Sequence, residues 1–98
     1  VPILLDLNNR VFQRQWFALE KADQLAVLQS CRKILELDGW NALYRDKGFK
    51  WEQIHSRRAP DGSRLYSFRM TVKLRAVARR EGDFLEILTL HPDHDSAY

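Results

Sequence analysis

The residues best suited to do chemistry lie in the last third of the chain. There arginines recur through short β-like runs, and the sequence closes on His91-Pro92-Asp93-His94-Asp95-Ser96-Ala97-Tyr98. A guanidinium is a planar fork of donors that matches two phosphate oxygens at once. An imidazole, with an ordinary pKa of about 6.5, can take or give a proton near neutrality. Cutting an RNA strand without a metal needs these parts: a base for the 2′-hydroxyl, a cation beside the scissile phosphate and an acid for the 5′-oxygen. The same ending also holds metal-ligand types in His91, Asp93, His94 and Asp95. Close neighbours on one short turn seldom converge on a single ion, so no metal and no cofactor is expected. Cys31 falls on the inward stripe of a predicted helix and reads as a small core residue, not a nucleophile.

Charge distribution supports an anionic partner. The 98 residues carry a net charge of only +3. Residues 45–80, however, hold eleven Lys/Arg against three acids, a net of +8, and the remainder holds five against ten, a net of −5. Such segregation points to a basic face. At 45% hydrophobic and 11% aromatic residues, the chain has the composition of one globular domain. Its apolar runs fall far short of the roughly 20 residues needed to cross a bilayer. Val1-Pro2-Ile3-Leu4-Leu5 lacks a basic flank and a full hydrophobic stretch, so it is not read as a signal peptide. A lone cysteine excludes an intrachain disulfide and fits a reducing, cytoplasmic setting.

The elements that must position these residues read as helices first and a sheet afterwards. Pro2 to Leu7 is a short apolar strand, and Asn8 or Asn9 can cap the helix carrying Phe12, Trp16 and Leu19. Residues 22–37 form an amphipathic helix whose stripe is Leu25, Leu28, Cys31 or Arg32, and Leu35, widened by Ala22, Val27 and Ile34. Asp38-Gly39 ends it, with Gly39 expected in a left-handed C-terminal turn. The break near Lys21–Asp23 implies an αα-hairpin. Trp40 to Tyr44 suits a helical turn, Phe49 to Ile54 a strand, and Arg57 to Ser63 a turn. Trp40, Phe49 and Trp51 are best read as core. Two alternating strands follow, one over Tyr66, Phe68 and Met70 and one over Leu74, Ala76 and Ala78. Glu81-Gly82-Asp83 is a tight hairpin loop leading into a near-continuous apolar, hence central, strand from Phe84 to Leu90.

This succession resembles the RelE/ParE toxin superfamily. The resemblance is carried by Leu65-Tyr66-Ser67-Phe68-Arg69, by Leu74-Arg75-Ala76-Val77-Ala78-Arg79-Arg80-Glu81-Gly82-Asp83, and by the His91 to Tyr98 ending, which is similar to a variant tail of that family. It implies an α+β fold in which a small antiparallel-rich sheet packs on an N-terminal αα-hairpin. It also implies a toxin of a type II toxin–antitoxin pair, neutralised by a cognate antitoxin. Many members cleave mRNA on the ribosome as endoribonucleases, whereas the ParE branch inhibits DNA gyrase. By this resemblance Arg75 is the functional arginine of the second hairpin strand, Arg69 a second cation, Tyr98 the terminal aromatic, and His91 and His94 the acid and base. Lys50, Arg57, Arg58, Lys73 and Arg79 join Arg69 as candidate substrate contacts. At strand positions where RelE-type members carry lysines, this chain has Tyr66 and Phe68, a departure that keeps open a binding module without activity. The arginines alternate along their strands, so a merely solvated sheet face is the competing reading.

Overall fold

The computed structural model describes residues 2–92. They run β1 (Leu4–Asp6), α1 (Arg10–Ala18), α2 (Lys21–Glu36), α3 (Trp40–Arg45), β2 (Glu52–Arg58), β3 (Arg64–Arg69), β4 (Leu74–Glu81) and β5 (Phe84–Pro92). The described strands make one five-stranded sheet in the order β1-β5-β4-β3-β2, parallel at β1–β5 and antiparallel elsewhere. This is an α+β architecture, and β5 is internal, as its apolar run implied.

Local chemistry explains the helix ends. Asn9 Oδ1 accepts from the N–H groups of Val11 (2.9 Å) and Phe12 (3.3 Å), satisfying two donors that the first turn leaves unpaired. Leu19 and Glu20 link α1 to α2, and the junction is tied by a reciprocal pair. Trp16 Nε1 donates to the Gln24 carbonyl at 3.2 Å, and Gln24 Nε2 donates to the Trp16 carbonyl at 3.1 Å. Gln15 Oε1 then accepts from the Leu90 N–H at 2.6 Å, fixing α1 to β5.

One face of the sheet carries Phe68, Ala76, Ala78, Leu85, Ile87 and Leu90 into a core shared with Phe12, Val27, Cys31, Ile34, Trp40 and Leu43. Strand alternation puts the intervening residues on the opposite, open face. There Ile54, Leu65 and Val77 form a smaller buried cluster with Ala59 and Leu88 against it. Trp40 and Phe49 are core residues, and Trp51 packs against them half-buried.

Three expectations need correction. The stripe of α2 that meets the sheet is Val27, Ser30, Cys31 and Ile34, while Leu25, Leu28 and Leu35 are exposed. Both stripes have helical spacing, and the helix packs through the one with compact side chains. Gly39 does not end α2: Leu37 is its extended cap, and its N–H bonds the Ile34 carbonyl. Gly39, at φ 157° and ψ −166°, instead starts α3 in a conformation that a side chain would forbid. Finally, Arg57 and Arg58 belong to β2, and the turn begins at Ala59. The strand persists because its register with β3 shifts between Ile54 and Arg58, absorbing residues that a regular ladder could not pair.

A second irregularity matters more. From the Gly82-Asp83 turn, where Gly82 sits at φ 61°, β4 and β5 pair Glu81 with Phe84 and continue in step to Ala78 with Ile87. The next pair is Val77 with Thr89, so Leu88 is an extra residue in β5. This bulge advances the end of β5 by one position. Arg75 therefore faces His91; a regular ladder would have put Leu90 there.

Candidate active site

The register of three strands builds a row. Arg69 pairs with Arg75 across β3 and β4, and Arg75 pairs with His91 across β4 and β5. Partners in an antiparallel ladder project to the same side, so two guanidiniums and an imidazole line up on the open face. The row is cationic apart from a neutral imidazole, and its three members come from three adjacent strands.

Arg75 anchors the row. Its Nη2 donates to Ser67 Oγ at 3.0 Å and lies 3.3 Å from Glu52 Oε1. Only 11% of its side chain is exposed, and Ser67 is fully buried. The guanidinium is thus held in one pose by a neutral acceptor and an acid from the two strands beyond it. Glu52 and Ser67 are themselves register partners. An arginine fixed in this way acts as a preorganised positive charge.

His91 is the titratable member. Its Nε2 and Thr89 Oγ1 are 2.7 Å apart, so the hydroxyl holds one edge of the ring. Partial burial, and secondarily the positive field of Arg57, push its pKa below the ordinary value of 6.5. Near neutrality the imidazole is therefore uncharged and able to accept a proton, which is the state a general base requires.

The other predicted contacts are dispersed. Arg79 lies on the open face but is engaged in a network of acids. Its Nη2 is 2.7 Å from Glu86 Oε1 and its Nη1 2.9 Å from Asp61 Oδ2, with Glu81 at 3.9 Å. The Glu86 hydrogen bond raises its pKa further. Arg58 donates to the Gly62 carbonyl within its own turn at 3.3 Å. Lys73 reaches Asp23 on α2 at 3.7 Å. Lys50, at φ 49°, sits exposed in the loop before β2. His94 and Tyr98, with Asp93 and Asp95, lie outside the described residues. Among the described residues no group of His, Cys, Asp and Glu is placed to hold a metal ion. Cys31 is buried, and its burial pushes the thiol up to about 11.

Sequence reasoning missed Ser67, Glu52 and Thr89 as supports. Ser67 alternates with Tyr66 and Phe68, so its place beside Arg69 on the open face was open to inference. Glu52 was not, because the irregular β2–β3 connection hides its register.

No family model and no curated protein matches this sequence. Two solved structures share its fold. One is the archaeal RelE–RelB complex from Pyrococcus horikoshii OT3, at 18% identity and TM-score 0.64, covering 98% of this chain and 100% of that one. The other is a copper-bound mutant toxin from Helicobacter pylori, at 17% identity and TM-score 0.52, covering 93% and 94%. The described architecture is therefore a RelE-like fold. Among the described residues no helix is long and apolar enough to cross a membrane.

Proposed function

We propose that this chain is the toxin of a type II toxin–antitoxin pair and acts as a cytoplasmic, metal-independent endoribonuclease on ribosome-bound mRNA. The observation that carries the reading is the Arg69–Arg75–His91 row on the open face of a RelE-like sheet. Arg75, locked by Ser67 and Glu52, supplies positive charge beside the scissile phosphate, and Arg69 and Arg57 extend the cationic surface along the strand. His91, neutral near pH 7, takes the proton of the attacking 2′-hydroxyl, and His94 or Tyr98 protonates the departing 5′-oxygen. In-line attack leaves a 2′,3′-cyclic phosphate and a free 5′-hydroxyl. A cognate antitoxin neutralises the toxin, and α1 with α2 serves as the αα-hairpin of the family.

One observation favours a second reading. Arg75 is largely buried and already has protein acceptors, which also suits an arginine that merely organises the sheet. A RelE-fold binder without activity, or a ParE-like inhibitor of DNA gyrase, would need no more.

Inducible expression in a bacterial host separates these readings, with wild type compared with Arg75→Ala, His91→Ala and His94→Ala. Growth arrest with messages cut inside translated regions, lost in the variants, is the expected result. Arrest with intact messages would transfer the chain to the gyrase-directed class, and soluble protein without arrest would leave a binding module.

A further inference from the structure

The bulge at Leu88 brings Thr89 and His91 together on the open face, Thr89 opposite Val77 and His91 opposite Arg75. Thr89 Oγ1 lies 2.7 Å from His91 Nε2. That separation is a hydrogen bond between oxygen and nitrogen and is too short for a ring carbon. One nitrogen of the imidazole is therefore committed to its own strand. Nδ1, which has no hydrogen-bond partner among the described residues, is the nitrogen left for a substrate. What Nδ1 can do depends on which way the Thr89 hydrogen bond runs, because a neutral imidazole carries one N–H and one lone pair. If the hydroxyl donates, Nε2 holds the lone pair and Nδ1 the proton, and the remaining nitrogen cannot act as a base. If the hydroxyl accepts, Nε2 holds the proton and Nδ1 keeps a bare lone pair.

The charges around the ring select the accepting direction. Arg75 is its register partner on β4, and the field of Arg57 on β2 reaches it. The helix packed on β5, α1, carries Arg10 and Arg14 and no acid. Glu52 is paired with Arg75, and Glu86, Asp61 and Glu81 are gathered around Arg79. In such a cationic setting a lone pair on the unengaged nitrogen is favoured over an N–H. We infer that Thr89 is a positioning residue whose hydroxyl accepts from His91 Nε2–H and so leaves the Nδ1 lone pair as the proton acceptor. The chemistry of this inference rests on the endoribonuclease reading. There, the 2′ O–H bond breaks and an Nδ1–H bond forms. The oxygen keeps the electron pair and attacks phosphorus as the bond to the 5′-oxygen breaks, and the resulting imidazolium keeps Nε2–H on Thr89.

The tautomer is read without any substrate, from the ring-nitrogen NMR shifts of the whole chain at a pH where His91 is neutral. A protonated Nε2 and a bare Nδ1 are expected. Thr89→Val keeps the branched shape and removes the hydrogen bond, and Thr89→Ser keeps the hydroxyl. An accepting hydroxyl holds the imidazolium more strongly than the neutral ring, so Thr89→Val should lower the His91 pKa by about 0.5–1. A donating hydroxyl predicts a rise instead. In cleavage assays Thr89→Val should lower kcat by about tenfold or more with KM little changed, and should move the acid limb of the pH profile downward. Thr89→Ser should restore most of the rate. A protonated Nδ1 in the wild type, a rise of the pKa in Thr89→Val, or full cleavage by that variant overturns the inference. The wild-type spectrum needs no variant, so it decides the tautomer even if Thr89→Val does not fold. Absence of cleavage by the wild type strikes at the endoribonuclease reading and leaves the tautomer result standing.

Discussion

Arg75 and His91 are register partners across β4 and β5, and they meet because Leu88 is an extra residue in β5. The bulge converts an arginine–leucine pair into an arginine–imidazole pair on the open face. Ser67 and Glu52 hold the arginine from one side, and Thr89 holds the imidazole from the other.

Arg75 should therefore tolerate little change. Arg75→Lys keeps the charge but loses the planar fork that spans Ser67 and Glu52, and RNA cleavage should fall by about 100-fold. Ser67→Ala removes a buried acceptor and should lower stability by about 1–2 kcal/mol, measured by urea unfolding. Full cleavage by Arg75→Lys would remove Arg75 from the reaction.

His91 provides a pH signature. Its folded pKa is depressed below 6.5, so the unfolded chain binds the proton more readily. The associated stability is present above about 6.5 and is lost as pH falls through the folded value. Arg57→Ala should move the His91 titration upward in an NMR experiment, though not fully, since burial is the larger cause. The acid limb of cleavage should move with it. No movement would mean that Arg57 does not act on the ring.

The Arg79 network should behave as structure. Arg79→Met leaves Glu86, whose side chain is only 18% exposed, without its partner and should cost about 1–3 kcal/mol in denaturant unfolding. Asp61→Asn, at a fully exposed carboxylate, should change stability little. If Arg79→Met instead kept its stability and lost cleavage, Arg79 would join the substrate contacts.

Cys31 should be inert in the native state. With the thiol raised to about 11 and the side chain in the core, a thiol reagent at pH 7 should react only after unfolding. Fast labelling of folded protein would show that α2 opens readily from the sheet.

The sequence carried the strand order of the carboxy-terminal half plainly, because Gly82-Asp83 fixes one hairpin and alternation marks the strands around it. What it could not carry was any choice between equals. Leu25-Leu28-Leu35 and Val27-Cys31-Ile34 both have helical spacing, and only the packing decides which one the sheet receives. The bulge at Leu88 is likewise silent in sequence, since Ile87, Leu88 and Leu90 look alike whichever way they point. Arg75 could be singled out through the family resemblance, but the partners that restrain it come from β2 and β3, set by a register that the irregular stretch between Ile54 and Arg58 conceals. The acids around Arg79 are hidden for the same reason, as Asp61 is close only after the β2–β3 turn folds back.

The parallel pairing of β1 with β5 has a consequence for synthesis. Leu4, Leu5 and Asp6 must wait for their ladder partners, Phe84, Leu85 and Glu86, which are added 80 residues later. Until then β4 has no neighbour on one side, and α1 lacks the strand it lies against. Such long-range closure is slow to form, and it withholds the completed sheet until β5 has been made. The Arg75–His91 pair is among the last contacts to become available. A nascent chain is thus unable to display the row before β5 has been made.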